Sequence, residues 1–393
     1  MTIKLFGPRW RRRVLGVLLA VAWVVALALV GTDAWRSDGG AAGQDGPDDP
    51  AADESQDFPF AGADTIALHD GSNRYVTYGA SIKHRKVPYS VHGSSRAVGT
   101  SPKIDGDALP DGPGAWASHA KGIWTPGAFY HSTRGVGRYY LFYTALKRDT
   151  SEQYCVGVAS SPNPFSGFVA DLEPLLCPSD TGQWVMDADV TADPKDEDEV
   201  WMTWRDGRKD EEAESTLSAA KLSFRADGSV GLASPSHTTV LLRGDKLDWA
   251  RYPDTTGPAV IGNPSLLYHA GNWYLFYSGN RWTTGYNAIG IAFCGAKLDD
   301  GECSPLPGPQ QAWFSYSGPK PHLPSQMRKH DLPGNKRGPG AMDVYRAHDG
   351  QPWVTWKYLS NTKGRKSRTG KLIITGTGSA ADFSVTLPES SAP

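Results

Sequence analysis

The chain has 393 residues, 39% of them hydrophobic, and it includes 14 Trp, 16 Tyr and 12 Phe. Its 40 basic and 42 acidic residues give a net charge of −2, without a basic stripe among the aromatic residues. This balance excludes nucleic acid as a partner, because phosphate binding needs a clustered cationic face. The aromatic residues, together with 44 Gly and 29 Pro, favour short strands joined by tight turns over a helical bundle.

The N-terminus has the pattern of an export or anchoring signal. An arginine-rich stretch over residues 1–13 precedes an apolar segment over residues 14–31. Its length lies between those of a cleaved signal core and a full transmembrane helix, and Ala26-Leu27-Ala28 fits a small-x-small cleavage site. Cleavage and retention as a membrane anchor therefore both stay open. The positive-inside rule places the arginines in the cytoplasm and the rest of the chain in an extracytoplasmic position, secreted or anchored.

The chain then changes composition twice. Residues 32–57 are rich in Gly, Ala, Asp and Pro and nearly lack large apolar side chains. Such a segment buries too little surface to offset its chain entropy, so we expect a flexible acidic linker. Residues 58–393 contain nearly all the strand-forming sequence and are expected to form one domain.

Four cysteines lie in that domain: Cys155, Cys177, Cys294 and Cys303. An even count in an exported protein favours disulfides. A zinc site is disfavoured because there is no CxxC pair and no His at ligand spacing. Of the three connectivities, Cys155–Cys177 with Cys294–Cys303 is the simplest, because each pair brackets one predicted strand-loop unit.

A weak repeat runs through the domain. Five strands rich in aromatic and β-branched residues begin at Tyr75, Tyr139, Trp201, Trp273 and Trp353. Most follow a turn carrying Gly or Asn, and another apolar strand precedes each turn. Five hairpin units of this size predict an all-β fold, a five-bladed β-propeller. We expect strands within residues 371–387 to close the ring against the first segment, which would remove exposed sheet edges.

Two aspartates open predicted innermost strands, Asp64 in the first unit and Asp187 in the third. Innermost strands of a propeller converge on a central channel, so acidic residues at their starts can meet across one cavity. A single charged residue between apolar strand positions is costly unless it faces water or a partner. Their equivalent placement in two units predicts a shared site.

The domain resembles glycoside hydrolase family 43, from about residue 60 to residue 387. The most specific matches are residues 156–162 followed by 164–168, residues 263–267 followed by 273–280, and Gly338-Pro339-Gly340. Within this resemblance, Asp64 falls where the family keeps its general base. Asp187 falls where the family keeps the carboxylate that raises the pKa of the acid and orients it. The resemblance implies hydrolysis of glycosidic bonds with inversion.

The sequence departs from the family at the general acid. The family has Glu two residues before a fourth-blade proline, and this chain has Gly262. Gly127 stands where the second-blade element often has Asp, and Ala341 replaces a fifth-blade His that lies near a central ion or water. No cofactor is expected, and Ala341 argues against a bound calcium. Three interpretations of Gly262 stay open: a substitute acid such as Asp254, sugar binding without hydrolysis, or a substrate whose leaving group needs little protonation.

Aromatic and basic residues in loops are the remaining binding candidates. Trp124 begins a Trp-Thr-Pro element similar to one that lines the family's substrate pocket. Trp282 and Tyr286 also lie in predicted loops, where an aromatic ring can stack on a sugar face. Arg281 could reach sugar hydroxyls or a carboxylate. For Trp201, Trp273 and Trp353, packing between blades is the preferred interpretation.

These patterns predict a monomeric glycoside hydrolase-like protein that acts on arabinose- or xylose-containing polysaccharide. A catalytically inactive, envelope-tethered glycan-binding propeller is the alternative, and Gly262 favours it. A purely structural or protein-binding propeller is a third hypothesis, for which the pair of inner-strand aspartates would be coincidental.

Overall fold

In a computed structural model, the described part of the chain is residues 61–388, with gaps at 81–85, 97, 99–102, 120, 180–181, 209–213, 255, 317, 319–321, 334–335 and 360–364. All of it lies in one unit, Ala51–Pro393. The segments predicted over residues 1–13, 14–31 and 32–57 lie outside the described residues. Within the described part no α-helix occurs, and no helix is long and apolar enough to cross a membrane.

The strands form five mostly antiparallel groups, which we call blades 1 to 5, and one parallel pairing joins blades 2 and 3 into a single sheet. Blade 1 contains β1 (Ala61–Ala67), β2 (Tyr75–Ala80), β3 (Pro88–His92) and β4 (Gly106–Asp107). Blade 2 contains β5 (Trp124–Thr133), β6 (Val136–Leu146), β7 (Tyr154–Ser161) and β8 (Val169–Ala170). Blade 3 contains β9 (Gln183–Asp193), β10 (Asp196–Arg208), β11 (Thr216–Phe224), β12 (Val230–Leu232) and β13 (Thr239–Arg243).

Blades 4 and 5 complete the set. Blade 4 contains β14 (Ile261–His269), β15 (Asn272–Gly279), β16 (Ala288–Gly295), β17 (Ser304–Leu306), β18 (Ala312–Ser315) and β19 (Arg328–Asp331). Blade 5 contains β20 (Gly340–Arg346), β21 (Pro352–Leu359), β22 (Arg365–Thr375) and β23 (Asp382–Thr386). Short 3-10 turns lie at Gly244–Lys246, Asp248–Arg251, Leu298–Asp300, Ser325–Met327 and Gly378–Ala380.

The innermost strands β1, β5, β9, β14 and β20 contact one another in cyclic order, so the blades form a closed ring around a channel. The five repeated strands of the sequence are the second strands of the five blades, which confirms the repeat. Each junction between neighbouring blades has its own apolar cluster. Trp201, Trp273 and Trp353 are buried in these clusters, as expected.

The ring closes differently from the expectation. The strands β22 and β23 within residues 371–387 pair inside blade 5, and β1 pairs with β2 alone. Blades 5 and 1 are joined by packing around Tyr75, Tyr345 and Trp353 and by polar contacts. Side-chain packing therefore replaces a shared sheet, because β23 lies at the outer edge of its blade, far along the sheet from β20.

Both disulfides form as expected, Cys155–Cys177 and Cys294–Cys303. The first joins β7 to the segment that precedes blade 3, where Val156 bridges Leu176. The second joins β16 to the segment that leads into β17. Each crosslink stays within one strand-loop unit, which is why local pairing was the correct choice among the three connectivities.

Candidate functional site in the channel

Every innermost strand carries the same irregularity. A bulge interrupts each pairing with the second strand, at Ala61/Asp64, Trp124/Gly127, Met186/Asp189, Gly262/Ser265 and Gly340/Asp343. The bulges allow the blades to be aligned residue by residue. They define two sets of equivalent positions around the channel, which differ in chemistry.

The first set, the outer ring, consists of the residues that begin each bulge. Four of these residues have left-handed backbones, with φ of 39° at Thr125, 59° at Asp187, 48° at Asn263 and 46° at Ala341. Non-glycine residues rarely adopt this region, and such strain concentrates at functional sites. Hydrogen bonds from neighbouring blades hold the ring: the Asp187 N–H donates to Thr144 Oγ1 at 3.2 Å, and the Ala341 N–H donates to Ser278 Oγ.

The second set, the inner ring, lies two residues further along each strand. It consists of Asp64, Gly127, Asp189, Ser265 and Asp343.

Four of the five inner-ring residues accept a hydrogen bond from a backbone N–H of the next blade. The donors are Ala128 to Asp64, Leu266 to Asp189 at 3.3 Å, Val344 to Ser265 at 3.1 Å and Thr65 to Asp343 at 3.1 Å. The inner ring is therefore a circular set of inter-blade hydrogen bonds.

At the junction of blades 2 and 3, the inner-ring residue is Gly127. A Cβ atom on Gly127 would lie 2.3 Å from the Ala188 carbonyl oxygen. The replacement of Asp by Gly noted in the sequence thus reflects a close backbone approach that leaves no room for a side chain.

The two aspartates singled out in the sequence do not occupy equivalent positions. Asp187 belongs to the outer ring, whereas Asp64 aligns with Asp189 and Asp343 in the inner ring. In the sequence the two aspartates appear equivalent, because a bulge has no signature in the residue types. In the structure the bulges place Asp187 two positions before the equivalent of Asp64. Both residues still line one recess of about 40 Å³ at the mouth of the channel, with Thr125, Asn263 and Lys357.

Asp64, Asp189 and Asp343 form a compact carboxylate cluster, with one oxygen of each within 4.8 Å of the others. Burial raises the pKa of Asp189 to about 7, and the Asp64 charge adds to the shift. Burial also raises the pKa of Asp343 well above its usual range, followed by the charges of Asp64 and Asp189. Like charges in one buried site cannot all ionise, so the cluster retains protons near neutrality.

The Asp64 and Asp343 side chains are hydrogen-bonded to each other. Burial raises the pKa of Asp64 as well, but hydrogen bonds from Asp343 and the Ala128 N–H and the charge of Lys357 oppose that rise. These hydrogen bonds and the lysine charge thus favour the ionised form of Asp64. Carboxylate oxygens are also the ligands that hard divalent cations prefer, so this cluster is the set of described residues that could hold a metal ion.

A buried lysine faces the cluster. Lys357 lines the recess and is 7% exposed. Burial lowers its pKa to about 8, against the charges of Asp343, Asp187 and Asp64, which raise it. Sequence reasoning missed Lys357, Asp189 and Asp343. Their places in the channel emerge only once the bulges of the blades are aligned in the structure.

Position 262 lies beside Asp187, as expected for the acid and its neighbouring carboxylate. A Cβ atom on Gly262 would lie 2.9 Å from Asp187 Oδ2 and 3.2 Å from Arg205 Cδ. Asp187 Oδ2 accepts the Asn263 N–H at 3.1 Å. The Arg205 side chain therefore passes through the space next to the missing carboxyl, and the sequence analysis did not anticipate this contact.

Asp254 lies in a poor environment for a substitute acid. Its carboxylate is exposed and accepts hydrogen bonds from the Thr256 N–H and hydroxyl and from the Gly257 N–H. These bonds, above all that from the Thr256 hydroxyl, lower the pKa of Asp254. A general acid must hold its proton near neutrality, and this geometry favours the ionised form instead.

The aromatic candidates lie outside the described lining of the recess. Trp124 is partly buried, stacks on Tyr154 at 4.5 Å and contacts Trp184 edge-on at 6.0 Å, so it belongs to a packed aromatic group. Trp282 is 53% exposed, and its carbonyl accepts a hydrogen bond from buried Arg365.

The two other loop candidates lie beside Trp282. Tyr286 packs edge-on against Tyr252 at 5.3 Å, and Arg281 is exposed. Trp282 therefore offers the most accessible ring of the three aromatic candidates.

Residues 58–375 match the model of the Glycosyl hydrolases family 43. The chain belongs to that family.

Solved structures support the fold. A thermostable family-43 glycoside hydrolase is 18% identical with a TM-score of 0.60, covering 86% of this chain and 97% of its own. An endo-1,4-beta-xylanase from Bacteroides thetaiotaomicron is 18% identical with a TM-score of 0.58, covering 85% and 96%. An alpha-L-arabinofuranosidase from Lactobacillus brevis is 17% identical with a TM-score of 0.58, covering 81% and 92%. None of the curated proteins matches the chain.

Proposed function

We propose that this chain is a glycosidase that cleaves glycosidic bonds in arabinose- or xylose-containing polysaccharide, by inversion, at the recess of the channel. The observation that carries the proposal is the pair of carboxylates, Asp64 and Asp187, that line this recess in a family-43 propeller. The names of the similar structures, a xylanase and an arabinofuranosidase, support the sugar class.

Asp64 is the proposed general base. Hydrogen bonds from Asp343 and the Ala128 N–H and the charge of Lys357 favour its ionised form, which can accept a proton from water. Asp187, next to position 262, is the proposed carboxylate that would raise the pKa of an acid there. In inversion the base and the acid lie about 6.5–9.5 Å apart, leaving room for the attacking water. Gly262 supplies no acid, so hydrolysis is proposed to be fast where the leaving group departs with little protonation, whereas on polysaccharide the leaving oxygen has to take its proton from water.

The second candidate function is glycan binding without hydrolysis. The observation that favours it is the Arg205 side chain, which lies next to Gly262 in the space beside the missing acid. In this proposal Trp282 and the recess hold sugar, and the channel carboxylates serve the fold.

The location is also a proposal. An extracytoplasmic position, secreted or membrane-anchored, is supported by the N-terminal arginine and apolar segments and by two disulfides with no free cysteine among the described residues.

The deciding experiment assays the full-length chain on nitrophenyl arabinofuranoside, nitrophenyl xyloside and branched arabinan, with product anomers read by NMR. Hydrolysis is expected on the nitrophenyl glycosides, whose leaving groups need little protonation. The substitution Asp64→Asn is expected to reduce kcat/KM by about 10²-fold or more, as for loss of a general base. Asp196→Asn, at an exposed strand position, is the matched control. Saturable sugar binding without turnover on any substrate would exclude the hydrolase and establish the second candidate.

A further inference from the structure

A second cavity, which we call the blade-3 cavity, lies outside the channel. Its volume is about 430 Å³, against about 40 Å³ for the recess. It is lined by the beginnings of β9 and β11, the end of β10 and residues 176–179. Four residues of the lining are exposed, so the cavity opens to solvent: Ser179, Arg208, Glu214 and Thr238. Pockets of about 300–1,000 Å³ are the size that holds small ligands.

The side of the cavity formed by residues 176–179 is fixed to blade 2. Cys177 is joined by a disulfide to Cys155 of β7. The Val156 N–H donates to the Leu176 carbonyl at 2.8 Å, and the Leu176 N–H donates to the Val156 carbonyl at 3.2 Å. Preformed walls lower the entropy that is lost when a ligand binds, so this cavity is suited to hold a ligand without rearrangement.

The lining combines apolar surface with hydrogen-bonding side chains. Trp184, Trp204 and Val185 supply apolar surface, and Asp206 and Thr216 supply a carboxylate and a hydroxyl group. A sugar ring has the same two characters, because its C–H face packs against aromatic rings and the hydroxyl groups at its edge form hydrogen bonds. The lining therefore matches a carbohydrate better than a wholly apolar ligand.

Asp206 is a carboxylate that its neighbours hold in one orientation. Its Oδ1 accepts the Trp204 Nε1–H at 2.9 Å, and its Oδ2 accepts the Ser218 hydroxyl at 2.6 Å. Each carboxylate oxygen has two lone-pair sites, so each keeps one site for a further donor. The residue is half-buried and lines the cavity. Two neighbouring hydroxyl groups of a sugar are a matching pair of donors.

The charges of the described lining balance, which favours a neutral ligand. Asp206 and Glu214 are acidic, and Arg208 is basic. Glu214 is also paired with Arg251, whose Nη2 lies 3.4 Å from Glu214 Oε1. A cleft lined by one sign of charge concentrates ligands of the opposite sign, and the described residues of this cavity show no such excess.

The cavity and the recess lie on the same strand. β9 places Val185 in the cavity and Asp187, two residues later, in the recess, and the described linings have no residue in common. Two residues of a strand span about 7 Å, so one polysaccharide chain can contact both places. Two linked contacts raise the affinity for a polymer above that of either contact alone.

We propose that the blade-3 cavity is a second carbohydrate-binding site, which holds a neutral segment of the polysaccharide that occupies the recess. Asp206 and Thr216 bind sugar hydroxyl groups, and Trp184 and Trp204 supply the apolar surface for the ring. The proposal rests on the proposed function for the kind of sugar. The site binds and does not react, since the channel carboxylates lie outside it.

The test measures retention of the full-length chain by affinity electrophoresis in gels containing xylan or arabinan. Thr216→Trp places an indole in the cavity and is expected to weaken the affinity for the polymer about tenfold. Ser223→Trp, at a half-buried position further along β11, is the matched control and should bind like the wild type. Thermal unfolding shows whether each variant is folded.

A milder variant keeps the test decisive if Thr216→Trp unfolds. Asp206→Asn retains the shape of the side chain and removes the charge, so the affinity for the polymer should fall about three- to tenfold. Asp196→Asn, at an exposed position of the same strand, is its control. The expected losses are those of the two cavity variants alone.

The outcomes separate the second site from the proposed function. Wild-type affinity for the polymer in folded Thr216→Trp and Asp206→Asn would overturn the blade-3 site and leave the proposed function intact. Turnover of nitrophenyl xyloside lost in parallel with affinity for xylan would assign the effect to the recess and also overturn the site. Cavity-dependent retention by a wild type that hydrolyses no substrate would support the site and exclude the hydrolase. A wild type that neither polymer retains would overturn the site, whereas the nitrophenyl assay decides hydrolysis separately.

Discussion

The outer and inner rings of the channel use similar side chains for different purposes. The inner ring binds the backbone of the next blade through Asp64, Asp189, Ser265 and Asp343. The outer ring has left-handed backbones and places Asp187 beside position 262. Two residues of offset along a strand therefore separate Asp64, which belongs to the carboxylate cluster and lines the recess, from Asp187, which lies beside position 262. In a propeller, an acidic channel residue is interpretable only after its register is known.

The strongest test of the outer ring restores the missing acid. The double substitution Gly262→Glu with Arg205→Ala adds a carboxyl beside Asp187 and removes the side chain that it would meet. We expect kcat/KM on phenyl glycosides, which need protonation, to rise by about 10²-fold or more over Arg205→Ala alone. The gain should be small on nitrophenyl glycosides. Equal gains on both substrates would show that the new carboxyl does not act as an acid.

A smaller effect tests the role of Asp187 in that same background. Adding Asp187→Asn removes a negative charge next to the introduced carboxyl, so the pKa of that carboxyl should fall. The alkaline limb of the pH–rate profile is then expected to move down by about one pH unit. Measurement of kcat/KM from pH 4 to 9 gives the limb. An unmoved limb would exclude electrostatic coupling between the two positions.

The role of the inner ring can be tested through the pH dependence of the free energy of unfolding. The pKa of Asp189 is raised by burial from 3.8 to about 7 in the folded chain, so the folded state binds the proton more tightly. The resulting stability is present below about pH 4 and is lost as pH rises through 7. Asp189→Asn mimics the protonated form and still offers an acceptor to Leu266.

At pH 8 the Asp189→Asn variant should therefore exceed the wild type in free energy of unfolding by about 1 kcal/mol or more. Below pH 4 the difference should vanish. Denaturant unfolding at both pH values, with Asp196→Asn as an exposed control, measures it. A variant that is less stable at every pH would show that the charged carboxylate stabilises the ring.

The smallest expected effect lies outside both rings. Trp282→Ala should weaken binding of xylotetraose by about three- to tenfold, the contribution of one stacked aromatic ring. The fold should be unaffected, since the ring is 53% exposed. Leu172→Ala, 77% exposed in another blade, is the matched control. Unchanged affinity would confine the sugar contacts to the recess.

The repeated aromatic strands predicted the five blades correctly, because continuous burial of the second strands leaves a strong pattern in composition. The disulfides followed from local spacing. The register of the channel did not follow, since a bulge adds residues without changing the residue types around it. Ring closure was also misjudged, because the contact between Thr65 and Asp343 spans 278 residues and has no local signature.

Some of the functional residues could be predicted from the sequence, and others could not. Asp64 and Asp187 could be found as isolated charges in apolar strands. Asp343 and Lys357 could not, since only the closed ring brings blade 5 next to blade 1. In the sequence, Arg205 is only a charged residue at the end of a predicted strand, and nothing there predicts its contacts. Its contact with position 262 depends on the packing of blades 3 and 4.

The junction of blades 5 and 1 gives the ring a preferred place to open. Among the described residues it has the smallest of the five apolar clusters, and its hydrogen bonds include those from the Thr65 N–H to Asp343 and from the His348 N–H to the Tyr75 hydroxyl. The two ends of the domain meet there without a covalent or sheet-like connection. In such a propeller the interface between the first and last blades is the weakest of the five interfaces. A ligand that contacts both blades at the channel mouth would stabilise this interface.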